Sequence, residues 1–180
     1  MARFFTIILP LLAAFSAAAT PLKRTVAQIE ADIAQITSQV AALDTAVKGF
    51  TNSLTQALAI HNDAVALVST INQGTTDVNA TPQPSESDSQ TILNSVQGFV
   101  PSVTDALQAI IDKKAAFQAL PIGGIPALVK QDLANLNTAT VAFENGLIAK
   151  APTDLKSQAQ SIANTVNAAL ASAQAAYAQF

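Results

Sequence analysis

Few residues of this sequence are of the types that carry out catalysis or bind metals. His61 is the only histidine and there is no cysteine, so a zinc or iron site would lack its usual ligands. No serine lies in a Gly-x-Ser-x-Gly sequence, which exposes the nucleophile of many hydrolases. His61 lies between Leu58 and Val65 on an apolar stripe, which indicates an imidazole at the edge of a core, hydrogen-bonded to a neighbour. We therefore predict that the protein is not an enzyme and has no catalytic residue, metal or cofactor.

The charged residues do not form a binding motif either. Isolated acidic residues such as Asp32 and Asp44 lack the spacing of a calcium-binding loop. Gly123-Gly124 lacks the lysine that follows the glycines of a phosphate-binding loop, so we interpret this pair as a turn. The chain has 9 basic and 12 acidic side chains and no basic stripe. Nucleic acid is therefore not an expected partner.

The first 24 residues are predicted to direct the chain out of the cell. Residues 1–19 have the layout of a secretory signal peptide: Arg3 near the start, an apolar middle too short to cross a bilayer, and small residues before the cleavage point. Residues 20–24 are interpreted as a short propeptide-like segment ending at the dibasic pair Lys23-Arg24; two solvated charges are the alternative. Residues 25–180 then form one domain without a transmembrane segment. We expect a secreted, extracellular protein.

The apolar residues of this domain recur every three or four positions, which predicts helices with one buried face. The first helix is expected to begin at a capping box formed by Thr25 and Gln28. A break at residues 49–52 is expected after it, because one unbroken helix through the second stripe would be about 70 Å long. Gly74 is expected to end the second helix, and residues 75–83 are predicted to be a polar loop.

Three further helices are predicted from the same spacing. A second capping box at Ser85 begins the third helix, which is expected to continue past a kink at Pro101 as far as Phe117. After a turn rich in glycine and proline, Pro126 suits the first position of the fourth helix. Thr153 is expected to cap the fifth. No segment alternates with a period of two, so we predict an all-α fold, an antiparallel bundle of about five amphipathic helices.

One short sequence predicts a covalent modification. Asn79-Ala80-Thr81 is an acceptor sequence for N-glycosylation within a stretch rich in serine, threonine and proline. A sugar on Asn79 would make the protein a glycoprotein. Pro82 directly follows the acceptor sequence and disfavours its use, so occupancy of Asn79 stays an open alternative.

The large apolar side chains between the predicted helices alternate with many alanines, which are too small to fill a wide gap. Either the helices approach closely or an apolar cavity remains between them as a lipid site. A bundle without disulfides could also open and lay its apolar faces on a hydrophobic surface. The candidate lipid-binding residues on these faces are Phe50, Leu54, Leu58, Phe99, Val103, Leu107, Phe117, Phe143 and Leu147.

Three stretches of the chain resemble a known family. None of them is a catalytic motif, and the resemblance rests on their order and spacing across residues 25–180. The stretches are Ala42-Leu43-Asp44-Thr45-Ala46-Val47, Lys113-Lys114-Ala115-Ala116-Phe117 and Leu147-Ile148-Ala149-Lys150-Ala151-Pro152. In this arrangement they are similar to the fungal hydrophobic surface-binding protein A family, which includes cell-wall galactomannoproteins.

The resemblance implies an all-helical secreted domain that adsorbs to hydrophobic surfaces and, in some relatives, encloses a fatty acid. It also implies recruitment of a secreted polyester-degrading, cutinase-like hydrolase. Relatives that stay in the cell wall carry a long Ser/Thr-rich extension and an anchor signal. Neither is recognised in this sequence, so we expect release rather than wall attachment. The alternative function is that of a structural cell-wall mannoprotein with no lipid cargo.

Overall fold

The computed structural model describes residues 25–180, so the predicted signal peptide and the Lys23-Arg24 pair lie outside the described residues. This part of the chain contains six α-helices and no strand, which confirms the all-α prediction. None of these helices has a stretch that is long and apolar enough to cross a bilayer. The helices are α1 (Val26–Lys48), α2 (Leu54–Ala80), α3 (Glu86–Asp112), α4 (Lys114–Gln118), α5 (Ile125–Lys150) and α6 (Lys156–Tyr177).

α1 begins and ends near its predicted positions. The Thr25 hydroxyl accepts a hydrogen bond from the Gln28 backbone amide at 3.4 Å. The Gln28 side chain donates to Asp32 instead of returning to the cap, so only half of the capping box forms. Gly49 caps the C-terminus. Asn52, with a φ of 58°, then turns the chain into α2, which confirms the break at residues 49–52.

α2 is longer than predicted, and the prediction that Gly74 ends it is wrong. The helix continues to Ala80, so most of the predicted polar loop is helical. Gly74 is buried, and its missing side chain makes room for a neighbouring ring. A Cβ added to Gly74 would lie 3.1 Å from Cε2 of Phe143 and 3.5 Å from Cβ of Asp32. The glycine therefore serves close packing between α1, α2 and α5 and is not a C-terminal signal.

Replacing Gly74 by leucine is expected to destabilise the fold by about 1–3 kcal/mol, because the new side chain must displace Phe143 or Asp32. Gly98 on α3 is the matched control, since a Cβ added there meets no atom within 4 Å. Gly98→Leu is expected to be neutral or to stabilise by up to about 1 kcal/mol through helix propensity. Urea unfolding of both variants measures the difference, and equal stabilities would contradict the packing role of Gly74.

α3 begins at the predicted cap. The Ser85 hydroxyl accepts a hydrogen bond from the Asp88 backbone amide at 3.2 Å and donates to the Asp88 carboxylate at 2.7 Å. The reciprocal pair satisfies a backbone donor that the first turn would otherwise leave exposed. The helix then passes through Pro101 without ending. This start of the third helix is therefore confirmed.

The predicted continuation of the third helix to Phe117 is wrong. α3 ends at Asp112, and Phe117 lies on α4. Lys113 separates the two helices, and its ammonium donates to the Phe50 carbonyl at 3.0 Å. The rings of Phe50 and Phe117 stack with their centroids 4.4 Å apart. The break thus brings α4 against the residue that follows the end of α1.

The predicted start of α5 is close to the observed one, whereas the predicted start of α6 is not. Pro126 is the second residue of α5, one place after the predicted first position, and Gly124, the N-cap, has a φ of 96°, which favours glycine. The predicted Thr153 cap of α6 is wrong. After α5 the chain forms a turn in which the Leu155 amide donates to the Pro152 carbonyl at 3.1 Å. α6 then starts without a side-chain cap.

The five long helices close into a ring. In the order α1, α2, α5, α6, α3, each packs against the next, and α3 packs against α1. Hydrogen bonds join the C-terminal ends of α3 and α1, of α5 and α2, and of α6 and α3. α1, α3 and α6 therefore run in one direction and α2 and α5 in the other. Consecutive long helices are antiparallel as predicted. Among the ring neighbours, α1 and α3, α3 and α6, and α2 and α5 are parallel, whereas α1 and α2, and α5 and α6, are antiparallel.

One end of the ring, which we call the packed end, is filled by aromatic side chains. It is the end where α1, α3 and α6 finish and where α2 and α5 begin. The stacked rings of Phe50 and Phe117 lie there. Tyr177 is 0% exposed, and its hydroxyl donates to the Ile110 carbonyl at 2.8 Å. Large rings in close contact hold this end of the bundle together.

Candidate ligand cavity

From the opposite end, which we call the hollow end, an apolar cavity extends into the ring. The hollow end is where α1, α3 and α6 begin and where α2 and α5 finish. The cavity has a volume of about 140 Å³ and is lined by all five long helices. An engineered apolar cavity of about 150 Å³ binds benzene, so this volume is enough for an apolar guest. One lining residue from each helix, in the order of the ring, is Ile36, Ile71, Phe143, Val166 and Val96.

The cavity follows from the geometry of a five-membered ring. Neighbouring helix axes are about 8–10 Å apart, which places each axis about 7–8.5 Å from the centre of a regular ring of five. A helix with its side chains has a radius of only about 5–6 Å, and less where the side chain is small. Ala106 on α3 and Ala163 on α6 are buried lining residues of this kind. Of the two alternatives that the sequence left open, the structure shows the cavity.

Five of the nine candidate lipid-binding residues line this cavity. They lie on α3 and α5, which are not ring neighbours, so they approach the guest space from two sides. Their large apolar side chains form part of its wall. These five residues are Phe99, Val103, Leu107, Phe143 and Leu147.

The other four candidates lie away from the cavity. Phe50 and Phe117 fill the packed end, and Leu54 is partly buried against the core where α2 begins there. Leu58 is 44% exposed. The buried face of α2 runs through Ala57 instead, one residue earlier and so about 100° around the helix. These four side chains are not part of the cavity wall.

Two polar side chains of the wall were not identified from the sequence. Glu144 on α5 accepts a hydrogen bond through Oε2 from Nδ2 of Asn167 at 2.8 Å. Burial raises the pKa of Glu144 to about 7, and the hydrogen bond from Asn167 opposes that rise. Ser89 on α3 is 7% exposed, and its hydroxyl has no hydrogen-bond partner among the described residues. Both residues occupy ordinary polar positions in their helices, so no sequence pattern distinguishes them.

Lys150 lies at the hollow end and joins two helices there. Its ammonium donates to the Thr81 carbonyl at 2.6 Å and to the Asn79 carbonyl at 3.4 Å, which connects the ends of α5 and α2. Thr81 is buried, and its hydroxyl donates to the Asp77 carbonyl at 2.7 Å. The exposed Asn79 lies in the last turn of α2 rather than in a loop. Glycosylation of Asn79 stays a prediction.

His61 does not line the cavity and is near the start of α2. Its Nδ1 lies 3.0 Å from both carboxylate oxygens of Asp132, which is 8% exposed. Burial raises the pKa of Asp132, while the contact with His61 lowers it in part. The interpretation of His61 as a hydrogen-bonded imidazole at the edge of the core is confirmed. Within residues 25–180, no three histidine, aspartate or glutamate side chains cluster as a metal site would require.

The ring and its cavity define a class of protein: a small all-helical bundle with a solid core at one end and an apolar chamber at the other. The comparison with known families agrees with this description. The chain belongs to the hydrophobic surface binding protein A family, whose model matches residues 26–149. The resemblance seen in the sequence is thereby confirmed.

Individual relatives share both sequence and fold. Cell wall mannoprotein 1 of Aspergillus flavus is 29% identical over 174 residues, which are 96% of this chain, and the chain spans 62% of that protein's length. The crystal structure of AFMP4P in complex with palmitic acid is 32% identical, has a TM-score of 0.80, and matches 84% of this chain and 99% of that one. Ligand binding domain 2 of the Penicillium marneffei MP1 protein, complexed with multiple arachidonic acids, is 18% identical with a TM-score of 0.79 and shows the fold alone; the match covers 88% of this chain and 99% of that one.

Proposed function

We propose that the protein is a secreted, non-enzymatic lipid-binding protein that takes up the acyl chain of a fatty acid in its cavity. The observation that carries this proposal is the apolar wall contributed by all five long helices. Each methylene group that leaves water for such a wall contributes about 0.8 kcal/mol. AFMP4P, which is similar to this chain over nearly its whole length, was crystallised with palmitic acid, and this supports the same class of guest.

A long acyl chain requires the hollow end to widen. The cavity volume is about 140 Å³, whereas sites for small molecules usually measure about 300–1,000 Å³. The hollow end is expected to open more easily than the packed end, because its lining is mostly aliphatic and the stacked pair Phe50–Phe117 lies at the packed end. In this proposal the contacts between helices that are lost on widening are replaced by contacts with the guest.

The uptake is tested with purified protein and palmitic acid. Native mass spectrometry is expected to show retained acyl chains, and titration with a fluorescent fatty acid is expected to saturate. Free palmitic acid at about a hundred times its Kd should stabilise the fold by about 2.7 kcal/mol, seen as a higher Tm. No saturable binding and an unchanged Tm would contradict the proposal.

Adsorption to hydrophobic surfaces is the second part of the proposed function. The family description supports it, and so does the low fraction of charged residues, 12%. If the bundle opens to lay its apolar faces on a surface, guest and surface compete for the same side chains. Protein loaded with palmitic acid should then adsorb less to polyester particles than empty protein. Equal adsorption of both forms would place the contact on the outer face of the bundle.

Recruitment of a cutinase-like hydrolase to such a surface is also proposed, on the family resemblance. Cosedimentation of a cutinase with polyester particles should rise when this protein is bound first, and no change would contradict recruitment.

We place the protein outside the cell, either released or at the wall; the similarity to a cell wall mannoprotein supports this. A structural mannoprotein remains the alternative, and extensive hexose addition without any acyl chain would favour it.

A further inference from the structure

Among residues 25–180, Glu144 is the only acidic residue in the wall of the cavity. One of its carboxylate oxygens is held by the Asn167 amide at 2.8 Å. No lysine, arginine or histidine of the described residues forms an ion pair with it. A carboxyl group in an apolar wall without a cation nearby is most stable when it carries a proton, and in that form it can donate a hydrogen bond into the cavity.

Ser89 adds a second polar atom to the same wall. Its hydroxyl is buried and has no hydrogen-bond partner among the described residues, although buried hydroxyls nearly always have one. Among the described residues, Lys150 is the only basic residue of the wall; two backbone carbonyls accept from its ammonium, which has three N–H donors in all. Beside it, Ser89 and a protonated Glu144 offer neutral donors to a polar guest.

We propose that Glu144, in its protonated form and together with Ser89, binds the carboxyl group of the acyl guest, so that an anionic fatty acid is retained only while Glu144 carries its proton. This inference rests on the proposed function and specifies the polar part of that site. A carboxylic acid and a carboxylate can share one proton in a short hydrogen bond. Two ionised carboxylates within hydrogen-bond distance of each other in an apolar cavity repel each other strongly.

The electrostatic surroundings of Glu144 agree with this role. Burial raises its pKa to about 7, with the Asn167 hydrogen bond as the opposing cause, and no charged group contributes to the shift. The other titratable residues on the helices packed against α5 are His61, Asp63 and Asp77 on α2, Lys114 on α4, and Lys156 and Tyr177 on α6; α5 itself also carries Lys130, Asp132 and Lys150.

The proposal predicts the pH dependence of binding. A fatty acid in water is ionised above about pH 5, so between pH 6 and 8 the free guest is an anion, and the proposal requires Glu144 to change its charge in this range. If the anion binds only to protonated Glu144, its affinity should fall about tenfold from pH 6 to pH 8. The loss occurs as the pH rises through the pKa of Glu144.

The experiment measures the Kd of palmitic acid at pH 6, 7 and 8 for the wild-type protein and for Glu144→Gln. Glutamine keeps an oxygen acceptor for Asn167 but cannot ionise, so the variant should bind equally well at all three pH values and about tenfold more tightly than wild type at pH 8. Glu86→Gln is the matched control, since Glu86 is exposed in the first turn of α3; it should keep the wild-type pH dependence. Hexadecan-1-ol has no charge, so its affinity for the wild-type protein should fall less between pH 6 and pH 8 than that of palmitic acid.

Several results would overturn the proposal. One is the same pH dependence in wild type and Glu144→Gln, and another is an equal loss of affinity for the alcohol and the acid. A loss of palmitic acid binding in Lys150→Met with no effect of Glu144→Gln would place the carboxylate at Lys150 instead. If Glu144→Gln does not fold, the ¹³C shift of carboxyl-labelled palmitic acid bound to the wild-type protein is measured against pH instead. A bound carboxyl group that titrates near pH 5, as it does in water, contradicts its pairing with Glu144. Absence of binding at every pH would instead contradict the proposed function itself.

Discussion

Ala163→Trp is expected to weaken palmitic acid binding by a factor of a hundred or more, which corresponds to about 2.7 kcal/mol. Ala163 is 3% exposed and lies in the cavity wall on α6. The indole ring would occupy the space that the guest needs, and because an apolar cavity of about 140 Å³ lies beside Ala163, the fold should lose less than about 2 kcal/mol. Titration with a fluorescent fatty acid and urea unfolding measure the two effects separately.

Ala171→Trp is the matched control for this variant. It places the same ring on the same helix, but Ala171 is exposed and does not line the cavity. This variant should bind palmitic acid as the wild type does. If Ala163→Trp also retained wild-type affinity while remaining folded, the guest would have to bind outside the cavity, and the proposed site would be incorrect.

Tyr177→Ala, in contrast to Ala163→Trp, is expected to destabilise the fold by about 3–5 kcal/mol and to change the affinity for the guest little. Tyr177 is 0% exposed at the packed end, and its ring lies 6.0 Å from that of Phe180, so its truncation leaves a void in the core. It does not line the cavity. Thermal or urea unfolding gives the stability, and titration of the folded fraction gives the affinity.

Tyr177→Phe separates packing from hydrogen bonding in that loss. It removes only the hydroxyl that donates to the Ile110 carbonyl at 2.8 Å, and it should cost about 0.5–1.5 kcal/mol. A weakening of guest binding in either Tyr177 variant that matches the loss of stability would show that the two ends of the bundle are coupled. It would contradict the independence of the packed end from the cavity.

The helices could be predicted from the sequence because their signals are local. Apolar side chains every three or four residues mark a buried face, and Ser85 and Pro126 mark helix starts by chemistry that involves only neighbouring residues. The prediction for Gly74 is wrong because glycine is common at helix C-termini, whereas its actual role depends on a ring from another helix, Phe143. The break at Lys113 likewise depends on a contact with the distant Phe50.

The cavity could be predicted only as one of two alternatives. Periodicity identifies which face of a helix is buried, but the width of the space between helices depends on how many of them surround it. Leu58 was included among the candidates because Ala57, a smaller side chain, gave a weaker signal for the buried face. Glu144 could not be identified at all, since a glutamate in a helix is normally solvated and only the surrounding ring buries it.

The stacked rings of Phe50 and Phe117 hold the C-terminal end of α1 against α4. α1 has 23 residues and is therefore about 35 Å long. A tilt of about 5° around one end of a rod of that length moves its far tip by about 3 Å. On the proposed function, a tilt of this size would be enough to widen the hollow end for an acyl chain while the stacked rings at the packed end keep their contact.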